Sequence, residues 1–99
     1  MKLSLINKHA IVCGSTDGIG KASALLLAKQ GCEITLVARN QDKLDKTQSE
    51  LNTNHNQKHY SVCADFDNSL DLKNKIKMHI DSLGRSVDVL VNNSGGPHG

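Results

Sequence analysis

Three glycines, at positions 14, 18 and 20 in the stretch Cys-Gly-Ser-Thr-Asp-Gly-Ile-Gly, are the residues here best suited to chemistry. Gly14 permits a sharp turn out of a strand. Gly18 lets backbone approach a diphosphate with no Cβ in the way, and Gly20 lets the next helix pack closely on a sheet. A helix opening at this point aims unpaired N–H groups and a partial positive charge at the phosphates. Ser15 and Thr16 add hydroxyl donors, and Ile19 sits between the last two glycines. The plainer alternative is a tight strand-to-helix turn with no ligand. The loop follows an apolar strand-like run and opens a helical pattern, which is the context a dinucleotide-binding loop requires.

The end of the next apolar run, Leu-Val-Ala-Arg-Asn, bears on which dinucleotide is held. An acid there accepts hydrogen bonds from the ribose 2′-hydroxyl of NAD. Here Ala38 takes that place and Arg39 follows. Alanine leaves room and no repelling charge, and a guanidinium holds a phosphate through two donors. NADP is therefore favoured over NAD. Arg39 also reads as a solvated surface charge, although a helix start is an unfavourable end for a cation. Asp17, inside the glycine loop, cuts against a 2′-phosphate site.

The elements that must position these residues alternate two periods. Short apolar runs over residues 9–14, 33–38, 59–64 and 87–93 read as strands. Between them, Ile19, Ala22, Ser23 and Leu26 mark one face of a first helix, with Gly31 at its C-terminal end. Asn40 offers an N-cap to a second helix whose face carries Leu44, Thr47, Gln48 and Leu51. Leu72, Ile76, Ile80 and Leu83 form the stripe of a third, which Gly84 closes. The order βαβαβαβ implies an α/β parallel sheet with right-handed crossovers and helices on both faces.

Bulk properties set outer limits. The chain has 99 residues, 37% hydrophobic and 2% aromatic, with a net charge of +2. That length allows one domain. The charge is too weak, and the single Tyr60 and Phe66 too few, to argue for nucleic acid. Nothing approaches a membrane span, and the N-terminal ten residues do not read as a signal peptide. Cys13, Cys32 and Cys63 show no Cys-x-x-Cys pairing and read as small reduced core residues of a cytoplasmic protein.

The spacing Gly-x-x-x-Gly-x-Gly, with Ile19 inside it, resembles the short-chain dehydrogenase/reductase family; Cys13 stands where that family carries threonine. The resemblance implies a Rossmann-type doubly wound sheet of strand order 3-2-1-4. Asp65 and Phe66 then match the segment that lines the adenine ring, although Asp65 also reads as a turn or capping aspartate. Asn92, Asn93, Ser94 and Gly95 resemble the Asn-Asn-Ala-Gly motif, with Asn92 and Asn93 tying the fourth strand into the sheet and Ser94 and Gly95 lying against the cofactor ribose. Asn-Asn-Ser-Gly-Gly-Pro is also similar to a subgroup labelled 3-oxoacyl-acyl-carrier-protein reductases. The implied activity is NADP-dependent hydride transfer between a carbonyl and an alcohol, in a cytoplasmic enzyme that is a homo-oligomer at full length.

That family works through a serine and a tyrosine whose phenol is tuned by a lysine four positions later. Tyr60 is followed four positions on by Ala64, and Ser94 belongs to the asparagine motif, so no catalytic residue can be named. His55, His59, His79 and His98 lack metal-ligand spacing and read as surface residues. The expectation is an incomplete cofactor-binding domain over residues 1–99, inactive by itself, with its fourth strand left as an apolar edge and its sheet unevenly covered. A non-catalytic NADP-binding module and an inert remnant are the competing readings.

Overall fold

The structure, a computed structural model, describes residues 5–92. Within them four strands, β1 (His9–Cys13), β2 (Glu33–Ala38), β3 (Tyr60–Cys63) and β4 (Val89–Asn92), alternate with three helices. The helices are α1 (Gly18–Lys29), α2 (Gln41–Glu50) and α3 (Ser69–Leu83). The strands form one sheet in the order β3-β2-β1-β4, and every pairing is parallel. Cys13 lies between Val37 and Asn92, so the carboxyl ends of β1, β2 and β4 are level. The turn at which consecutive strands run away in opposite directions is thus the one after β1, where open α/β sheets place their ligands.

Strand alternation divides the core into two layers. Ala10, Val12, Ile34 and Leu36 pack with Ala24 and Ala28 of α1 and with Leu44 of α2. Ile11, Cys13, Val37 and Ala64 face the other way, where Leu72, Ile76 and Ile80 of α3 cover them. Two crossover helices therefore lie on one face and one on the other, as the chain order requires. The α3 side is the thinner: no residue of α3 is fully buried, and Leu90 of β4 is 65% exposed. Asn40 and Asn68 cap α2 and α3, each side-chain oxygen accepting a backbone N–H three residues on.

One helix face differs from expectation. Ile19 and Leu26 are 74% and 60% exposed, and α1 instead buries Gly20, Ala24 and Ala28. Small residues win because they let the helix axis approach the sheet, whereas large apolar ones on that side would hold it away. The α2 face is as expected, with Leu44, Thr47 and Leu51 buried.

Two of the histidines also differ, whereas His55 is exposed as expected and His98 lies outside the described residues. His59 is buried; its Nδ1 accepts the Ile34 N–H at 3.0 Å and its Nε2 meets the Asn52 carbonyl at 2.8 Å. His79 is half-buried with Nε2 2.7 Å from the Thr35 hydroxyl. Thr35 in turn lies 2.7 Å from Nε2 of the fully buried His9, whose Nδ1 is 2.9 Å from Glu33. Thr35 bridges the two rings, its hydroxyl able to donate to one Nε2 and accept from the other, while the Glu33 carboxylate accepts from His9. Burial lowers the pKa of both His59 and His79, and the nearby His9 adds to the lowering at each. His9 and His79, joined through Thr35, tie the amino ends of β1 and β2 to α3. The structural roles of His59 and His79 were illegible because Ile34 and Thr35, the partners that hold them, lie 25 and 44 residues away in sequence.

Candidate cofactor site

The glycine loop folds as its spacing demands. Gly14 has φ of 70°, a left-handed conformation that glycine adopts freely, and its N–H donates to the Val37 carbonyl at 2.9 Å. A Cβ on Gly20 would sit 2.0 Å from the Gly14 carbonyl oxygen, so the first turn of α1 rests directly on the loop. Gly18, with φ of 56°, has nothing within 4 Å of where a Cβ would stand. Its missing side chain faces open space at the start of α1.

That helix start has a notable feature. Asp17 occupies the N-cap position with extended backbone, yet its side chain makes no capping hydrogen bond, and no acid lies in the first turn of α1. Aspartate at this position usually satisfies one of the orphan N–H groups. Here the carboxylate turns aside, 3.6 Å from the Lys43 ammonium. The helix N-terminus is left without a side-chain anion.

Around this loop lies a cavity of about 440 Å³ lined by Gly14, Thr16, Asp17, Ala38, Arg39, Asn40, Lys43, Phe66 and Asp67. The carboxyl ends of β1, β2 and β3 thus bring together loop, cations and ring, as the sequence reading expected of Gly14, Thr16, Arg39 and Phe66. Ser15 is placed differently. It is fully buried, and its hydroxyl points at the Val37 carbonyl, 3.4 Å away, rather than into the cavity. Ile19 is exposed and does not line the cavity. Asp65 closes a turn, accepting the Asp67 N–H at 2.9 Å, and borders a neighbouring depression with Arg39 and Cys63. Asn92 ends β4 in register with Cys13. Asn93, Ser94 and Gly95 lie outside the described residues.

Two lining residues escaped the sequence reading, Lys43 and Asp67. Lys43 carried a usable signal: it is a cation in the first turn of a helix, the same misfit with the helix dipole that singled out Arg39. Tyr60 is far from the cavity, at the amino end of β3 against His9 and His79. All three cysteines are free, with Cys13 and Cys32 buried. Burial raises the pKa of Cys13 and, with Asp88 and Glu33 nearby, pushes that of Cys32 up to about 11. Among the described residues no helix is long and apolar enough to cross a membrane.

The sequence matches the short chain dehydrogenase family over residues 8–99. The chain belongs to that family. It is 42% identical over 90 residues to a very-long-chain 3-oxoacyl-CoA reductase of Bos taurus, covering 91% of this chain and 28% of the relative. It is also 42% identical over 97 residues to 3-ketodihydrosphingosine reductase of the same species, covering 94% and 29%. The fold superimposes on L-sorbose reductase from Gluconobacter frateurii, solved with NADPH and L-sorbose, with a TM-score of 0.84 and 32% identity. That match covers 99% of this chain and 37% of the other. The chain spans less than a third of the length of these curated relatives.

Proposed function

We propose that this chain is the NADP(H)-holding part of a reductase that exchanges hydride between the nicotinamide and a carbonyl or alcohol, with a 3-oxoacyl thioester as the substrate class. The observation that carries the cofactor choice is the end of β2. Ala38 puts no carboxylate at the ribose position, and Arg39 follows it on the cavity wall. The residues fit a dinucleotide: a loop with no Cβ at Gly14 and Gly18, an α1 start free of side-chain caps, and a cation beside the 2′ position. The group supplies or accepts a hydride when bound. This chain's residues bind and orient it, with Gly14 and Thr16 at the phosphates, Arg39 at the 2′-phosphate and Phe66 along the adenine.

The substrate class is supported by the relatives named as 3-oxoacyl-CoA reductases. The cofactor choice is further supported by the sorbose reductase solved with NADPH. None of the residues matched to the family's motifs here does acid–base work, so the chain alone binds without turnover. Calorimetry with NADP⁺ and NAD⁺ on the wild type and on Arg39→Ala tests the cofactor choice. Losing one bidentate charge-assisted contact weakens NADP⁺ by about ten-fold or more and leaves NAD⁺ nearly unchanged. Equal affinity of the wild type for the two dinucleotides would refute it.

A further inference from the structure

Lys43 has no place in the site as derived above, yet its ammonium is the second cation on the cavity wall. It stands four residues beyond Arg39, in the first turn of α2, where the Asn40 cap fixes its backbone by accepting its N–H at 3.0 Å. Its partner is Asp17, across the cavity mouth on the glycine loop, at 3.6 Å. Both side chains are largely exposed, 56% and 78%, so the pair is weakly held and readily exchanged. Asp17 forgoes the capping bond that its position offers.

We propose that the Asp17–Lys43 pair is a latch opened by a ligand phosphate, and that Lys43 is a second determinant of preference for the 2′-phosphate. The inference rests on the NADP reading above. In the free chain Lys43 offsets the Asp17 charge and draws the carboxylate away from the N-terminus of α1. When the 2′-phosphate arrives beside Arg39, the ammonium exchanges its carboxylate for the phosphate, a stronger anion with more acceptor oxygens. The cavity walls carry two cations, Arg39 and Lys43, and two carboxylates, Asp17 and Asp67. A ligand phosphate meets Arg39 directly, and it gains the second cation only if Lys43 is released from Asp17. This accounts for an aspartate in a loop that must accept phosphate: Asp17 sets how much the 2′-phosphate gains over a bare hydroxyl.

The test is calorimetry with NADP⁺ and NAD⁺ on Lys43→Gln, Lys43→Arg and Asp17→Ala of this chain, with thermal denaturation to confirm that each variant folds. Lys43→Gln is expected to weaken NADP⁺ about ten-fold while moving NAD⁺ less than about two-fold, and Lys43→Arg to restore most of the loss. Asp17→Ala removes the competitor and strengthens NADP⁺ about three-fold. Lys43→Gln changing both dinucleotides by one factor, or neither, overturns the inference. If the wild type still prefers NADP⁺ in an Arg39-dependent way in that case, the cofactor reading survives alone. A wild type with no preference overturns both.

Discussion

Replacing Gly20 by alanine is the sharpest perturbation of the loop. The new Cβ would stand 2.0 Å from the Gly14 carbonyl oxygen and 2.8 Å from its carbon. That is about 1.3 Å short of the ~3.3 Å at which carbon and carbonyl oxygen ordinarily meet. Neither side yields cheaply. Gly14 is held by its bond to the Val37 carbonyl, and Gly20 shares its buried face with Ala24 and Ala28. Overpacking of this kind costs roughly 1–3 kcal/mol. The better helix propensity of alanine returns at most ~1 kcal/mol, and less in a first turn. A net loss of about 2 kcal/mol is expected, together with a displaced phosphate loop. Gly18→Asn is the control, since its Cβ meets no atom and asparagine tolerates φ of 56°. Urea denaturation of both variants, read by circular dichroism, gives the comparison. The reasoning is refuted if Gly20→Ala stays within about 0.5 kcal/mol of the wild type while Gly18→Asn is the more damaging.

The histidine row gives a second stability test: Thr35→Val leaves His9 and His79 each without its Nε2 partner and should cost about 1–3 kcal/mol in the same assay. Because burial lowers the pKa of His59 and His79 below the ordinary 6.5, the unfolded chain takes up protons that the folded chain refuses. Their contribution is complete above pH 6.5 and is lost as the pH falls below it. Denaturation midpoints measured from pH 7.5 to 5 should decline, and a flat profile would contradict the burial. At pH 8 a disulfide reagent should label the half-buried Cys63 first and reach Cys13 and Cys32 only on unfolding, since both are buried with raised pKa values.

What could be read from the sequence follows from how local each signal is. The residues of β2 form a β-branched, largely apolar run, and the strand occupies the expected Glu33–Ala38. The Asn40 cap and the Gly14 turn depend on their own backbone, so one residue type at one position announced each. The buried face of α1 differs from the expected one because close approach selects glycine and alanine, which carry little hydrophobic signal, while the exposed Ile19 and Leu26 carry a strong one. The residue type of Ser15 suits the cavity, but the direction of its hydroxyl is set by Val37, 22 residues away. The roles of His59 and His79 depend on partners on other elements, which the order of residues along the chain does not reveal.

The central claim is that a phosphate-bearing dinucleotide occupies the cavity at the carboxyl ends of the strands. Amide chemical-shift mapping of the labelled chain during an NADPH titration tests it most directly. The shifts should cluster at residues 14–20, 38–43 and 64–68, with those around His59 and His79 at the opposite end of the sheet unmoved. Saturating NADPH that leaves the glycine loop unperturbed, or shifts gathered at the histidine end, would contradict the account.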